Sequence, residues 1–167
     1  MAIFGEYAKS ALGITSAIVV QGIMALAVIG IVFGSILAAN FSKYYINTGL
    51  SAVSAAGITV ILFCIPFTTS IILLGIEFML FGLFSGLFIV PLNSKIQYLS
   101  PNVHLGTILA GNNFVQTLFM FTFLIVTTLF AYFSADAQIL FYIMVFVGLY
   151  LTITLFKSYF IMASWAL

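Results

Sequence analysis

Glu77, Cys64, His104 and the amide cluster Asn112-Asn113-Phe114-Val115-Gln116 are the side chains of this sequence whose chemistry could do more than fill space. Catalysis would need a nucleophile beside its base, paired carboxylates, a phosphate-cradling loop or a set of metal ligands. None of these spacings occurs. Cys64 has no second thiol to pair with and sits in the run Ile61-Leu62-Phe63-Cys64-Ile65, so it is expected to be a small buried apolar side chain. His104 is expected to be solvated in a loop. The residue five positions after it is Leu109, where a His-x4-Asp acyltransferase motif demands an aspartate. The chain is therefore expected to be no enzyme and to use neither a metal nor a cofactor.

Binding chemistry is better served. Glu77 is the only acid inside an apolar run, where a carboxylate costs about 2.5 to 3.5 kcal/mol at the centre of a membrane helix and less toward its ends. Something should offset that cost. One reading is a protonated or outward-reaching Glu77 at the membrane edge, and the other is a proton, ion or head-group site facing a water-filled cavity. Asn112 and Gln116 are one helical turn apart and share a face, with Asn113 and Thr117 on the adjacent one. Such amides either hydrogen-bond across helices, worth about 0.6 to 2 kcal/mol each, or line a polar path. Gln21 is expected to act as interhelical glue in the same way.

The elements that position these groups follow from composition. The 167 residues are 65% hydrophobic and only 4% charged, so the charged side chains cannot coat a soluble surface of this size. Lipid must be the solvent. A net charge of +1 without any basic cluster excludes a nucleic-acid partner. Continuous apolar runs, rather than alternation, predict an all-α membrane protein with about five spanning helices near 14–39, 50–66, 70–92, 107–133 and 139–160. The start, Met1 to Glu6, has neither a basic region nor a cleavage motif and does not read as a signal peptide. Turn chemistry marks the breaks: Lys43, Asn47 and Gly49 in the first, Pro66 to Ser70 in the second, and Ser134-Ala135-Asp136 before the last helix. The polar stretch from Asn93 to His104 is expected to be the longest loop.

Lysines set the expected orientation. Lys43, Lys95 and Lys157, with His104, fall on one side, and Glu6, Lys9 and Asp136 on the other. The positive-inside rule then places the N-terminus outside and the C-terminus in the cytoplasm. Small residues at every fourth position, Gly30-x-x-x-Gly34-x-x-x-Ala38 and Gly82-x-x-x-Gly86 with Ser85 beside it, predict faces where helix backbones approach closely. Five such helices enclose no evident site, which points to a part of something larger.

Three segments carry a family resemblance. Gly34-Ser35-Ile36-Leu37-Ala38-Ala39-Asn40-Phe41-Ser42-Lys43, continuing through Asn47-Thr48-Gly49-Leu50, resembles the loop "GSLLAGRLS…IELGL" in the C-terminal half of major facilitator superfamily transporters. Val90-Pro91-Leu92-Asn93-Ser94-Lys95-Ile96-Gln97, with Gly106-Thr107-Ile108-Leu109-Ala110-Gly111-Asn112-Asn113, resembles the pattern "VPLNALIQ…GRVLAGNN" of the lysophospholipid transporter branch. Some members of that branch are fused to a 2-acylglycerophosphoethanolamine acyltransferase, and the tail through Trp165-Ala166-Leu167 looks like the approach to it. Tyr7-Ala8-Lys9 resembles the segment after the family's seventh helix, which makes the predicted helices its eighth to twelfth. The sequence departs from the pattern at Thr107, where a basic residue is expected, and keeps only Lys43 in the first loop.

The resemblance implies part of a twelve-helix fold of two six-helix halves that passes its cargo by alternating access. It implies a bacterial inner-membrane protein whose cargo is lysophospholipid and whose partners are membrane lipid, the N-terminal transporter half and a downstream acyltransferase domain. Glu77, Asn112, Asn113 and Gln116 are the expected pathway residues. Lys43, Asn93 and Lys95 lie in the expected cytoplasmic gate loops. Two other functions fit the same residues: a membrane anchor for a fused acyltransferase, or efflux of another small molecule.

Overall fold

The computed structural model describes residues 16–42, 48–101, 103–133 and 137–164. All regular structure among them is helical: α1 (Ala17–Phe41), α2 (Thr48–Cys64), a 3-10 turn (Ile65–Phe67), α3 (Ile71–Leu99), α4 (Leu105–Tyr132) and α5 (Ala137–Ser164). Each of the five α-helical segments is long and apolar enough to cross a bilayer, three of them over slightly shifted bounds. The protein is thus an all-α, multi-pass membrane protein. Lys43, Glu6, Lys9 and Asp136, and with them most of the orientation argument, lie outside the described residues.

The seams expected from the small residues meet each other. A side-chain carbon added at Gly30 would strike the Met79 carbonyl, one at Gly34 the Leu83 carbonyl, and one at Gly82 the Ala27 carbonyl. At Gly86 it would lie 2.5 Å from the Ile31 carbonyl oxygen. Positions along α1 and α3 rise together, from Leu26 beside Gly75 to Gly34 beside Leu83, so the two helices run parallel. Backbone-to-backbone contact of this kind is how helices associate where lipid removes the hydrophobic drive. Ser85 faces its own helix instead, donating to the Phe81 carbonyl at 2.7 Å.

α2 packs antiparallel against the opposite side of α3, with Gly57 under the Phe84 ring and Thr68 beside Glu77. α5 covers α2, where Gly148 admits Thr59 and the Thr59 and Thr152 hydroxyls lie 3.3 Å apart. Ile23, Ile61, Leu62, Ile65, Leu74, Phe141 and Val145 form the apolar centre of the α1, α2, α3 and α5 bundle. α4 stands apart, with only slight contact to α3 and α5.

Two expectations need correction. The segment read as loop from Asn93 onward is helical as far as Leu99, with Pro91 inside the helix. Proline removes only its own N–H and crowds the turn before it, so the residues after it remain free to continue the helix. Cys64 is exposed rather than buried. It lies on the outward side of α2 with Val53, Val60 and Phe63, which are exposed too, so its greasy surroundings are lipid and not core.

Candidate functional site

Two polar groupings arise from this frame. The first is at the start of α3. Ser70 precedes the helix in extended conformation, and Glu77 is one of the first ten residues of α3, turned toward the α2 to α3 connection. Glu77 as a whole is only 9% exposed, and Thr68, 6% exposed, donates to Oε1 at 2.6 Å. The other oxygen, Oε2, is buried without a hydrogen-bond partner. Among the described residues, part of the carboxyl's burial is therefore offset with a hydroxyl and not with a basic side chain. Thr68 was read only as a turn residue. The signal that finds it is the rule that a buried carboxyl needs a donor, since the connection next to Glu77 carries Thr68, Thr69 and Ser70.

The backbone around Thr68 is irregular for a reason. Pro66 brings no N–H, so the α-helical bond to the Leu62 carbonyl cannot form and the chain tightens into the 3-10 turn. The Thr68 N–H donates to the Ile65 carbonyl at 3.1 Å, and its hydroxyl also lies 3.4 Å from the Cys64 carbonyl. A hydroxyl has one hydrogen, so it serves Glu77 at the shorter distance.

The second grouping is on α4. Asn112 is half-buried, whereas Asn113 and Gln116 are exposed, and none of the three side chains bonds another described residue. The same is true of Gln21 on α1, so the expected interhelical glue is not formed within the described chain. Thr117, Thr122 and Thr128 turn their hydroxyls back onto their own helix, donating to the Asn113, Leu118 and Leu124 carbonyls at 2.9, 2.9 and 2.8 Å. Beside the amides runs an open groove of about 820 Å³, bordered by Gln116, Thr117, Phe119, Met120, Phe123 and Thr127. Gly106 and Gly111 face open space.

The structure does not join the two groupings. Glu77 packs toward α2, the amides look outward from α4, and the two lie near the starts of successive helices of opposite sense. Asn93 and Lys95 are half-buried on the last turns of α3, and Lys43 is outside the described residues. His104 is exposed in the short link between α3 and α4. Among the described residues no cluster of His, Cys, Asp and Glu could hold a metal ion. No family model matches the sequence, and no curated protein or solved structure matches the chain.

Proposed function

We propose that this chain forms part of a lysophospholipid transporter or flippase of a bacterial inner membrane, built on the major facilitator plan and feeding lysophospholipid to re-acylation. The observation that carries the reading is α4, a membrane-length helix whose amides have no partner among the described residues and lie next to an aromatic groove. Unsatisfied amides in hydrocarbon are costly, so this face calls for a polar cover. A lysolipid presents a polar head and a single acyl chain, and the groove offers Gln116 and Thr117 at one end with Phe119, Met120 and Phe123 along it. The second transporter half would close the groove from the opposite side. The family resemblance of the α3 to α4 segment supports the same reading.

In this proposal Asn112, Asn113 and Gln116 contact cargo or the facing half, and Asn93, Lys95 and Lys43 belong to the cytoplasmic gate. The C-terminus lies in the cytoplasm. Uptake of labelled lysophosphatidylethanolamine by spheroplasts tests the reading, comparing cells with the gene, without it, and complemented by wild type or by Asn112→Leu/Gln116→Leu. Uptake is expected to require the gene and to fall about tenfold or more in the double variant, as for loss of one or two polar contacts. Uptake that persists without the gene overturns the proposal. If acyltransferase activity then also leaves the membrane fraction, the anchor reading takes its place.

A further inference from the structure

The corner where α2 meets α3 holds a buried carboxyl oxygen that no donor among the described residues meets. Glu77 contributes two carboxyl oxygens, Thr68 a hydroxyl oxygen, and the end of α2 the carbonyl of Cys64, 3.4 Å from that hydroxyl. Thr68 gives its one hydroxyl hydrogen to Oε1, and Glu77 Oε2 is left unpartnered while the side chain is nine-tenths buried. No basic side chain of the described residues is near. The described parts of α1 and α2 carry no charged residue, α4 carries none, and Lys157 lies in the distant half of α5. Lys95 is on α3 itself but 18 residues further on, about 27 Å along the axis. Among the described residues, the other titratable groups facing outward from this end are the exposed thiol of Cys64 and the exposed phenols of Tyr132 and Tyr142.

We infer that Glu77, Thr68 and the Cys64 carbonyl at the end of α2 form a binding site for a small monovalent metal cation of the sodium class. Hard cations take oxygen ligands of these three kinds, carboxylate, hydroxyl and carbonyl. Broken or terminal helix ends inside membranes supply carbonyls to sodium because their dipole leaves partial negative charge there. A bound cation neutralises the buried carboxylate, occupies Oε2 and ties the start of α3 to the end of α2. The inference does not depend on what cargo the protein carries.

The test uses the full chain in nanodiscs of phosphatidylcholine, with radioactive sodium as the probe in a scintillation proximity assay. Wild type is expected to bind saturably, with displacement by sodium chloride but not by choline chloride. Glu77→Gln is expected to lose about tenfold or more in affinity, whereas Thr68→Ser, which keeps the hydroxyl, retains it. Sodium chloride should also raise the wild-type melting temperature by about 5 °C over choline chloride at equal ionic strength, with no such rise in Glu77→Gln. Absence of saturable binding to the wild type overturns the inference whatever the variants do, and so does equal binding by Glu77→Gln. A melting temperature that rises as pH falls and ignores sodium assigns the corner to a proton, which also overturns it.

Discussion

Gly86→Ala puts the α1 to α3 seam to a quantitative test. The added methyl carbon would lie 2.5 Å from the Ile31 carbonyl oxygen and 2.7 Å from the Ser35 nitrogen, and ordinary contact begins at 3.4 Å. The helices must part by the difference, 3.4 less 2.5, or about 0.9 Å. Both obstructing atoms are backbone, so no side chain can swing away. A gap of this size forfeits roughly a quarter to a half of each dispersion contact it opens, and overpacking of this kind costs about 1 to 3 kcal/mol. Gly22→Ala is the control, because a methyl there meets nothing within 4 Å. It should be neutral or stabilising by up to about 1 kcal/mol through helix propensity. The same chemical change on one helix pair is thus expected to differ by about 1 to 4 kcal/mol with position. Titration with SDS in mixed micelles, followed by near-ultraviolet circular dichroism of the tyrosines, reads both variants. Equal midpoints for the two would refute the close approach of α1 and α3.

The Thr68 to Glu77 bond is open to a double-mutant cycle under sodium-free conditions. Thr68→Val leaves a buried carboxyl without its donor and should cost about 1 to 3 kcal/mol, whereas Thr68→Val with Glu77→Leu removes both partners and should recover much of that loss. Additive costs would show that the two groups do not interact. Membrane orientation is testable at Val103, which is 88% exposed in the α3 to α4 link. With Cys64→Ala as background, Val103→Cys is expected to react with a membrane-impermeant maleimide in inverted vesicles but not in intact spheroplasts, and the opposite pattern would reverse the assigned orientation.

Much of the architecture is legible in the residues because it depends on local composition. A continuous apolar run of membrane length has to satisfy its own backbone, and a helix is the way to do so, which is why five spans can be counted without coordinates. The seams are legible for a related reason. Glycines spaced by four necessarily share a helix face, so Gly30, Gly34, Gly82 and Gly86 announce close contacts before their partners are known. Boundaries are less visible. Pro91 and the polar residues after it look like a break, yet α3 passes through them, since proline disturbs the preceding turn and not the following one.

Pairing and direction belong to the tertiary structure. That the two glycine seams face each other in parallel, that α2 separates α3 from α5, and that α4 is left almost bare are relations between segments far apart in the chain. In a chain this apolar, hydropathy cannot distinguish a face turned to lipid from one turned to a neighbouring helix. Cys64 illustrates this, reading as core and lying outside it. Glu77 illustrates it for the candidate site. The sequence by itself determined that a carboxyl lies within a membrane span and must be accommodated. Only the packing of α3 against the end of α2 decided that a Thr68 hydroxyl meets one oxygen and leaves the other bare, because hydrogen bonding depends on angstrom-scale approach that no spacing along the chain encodes.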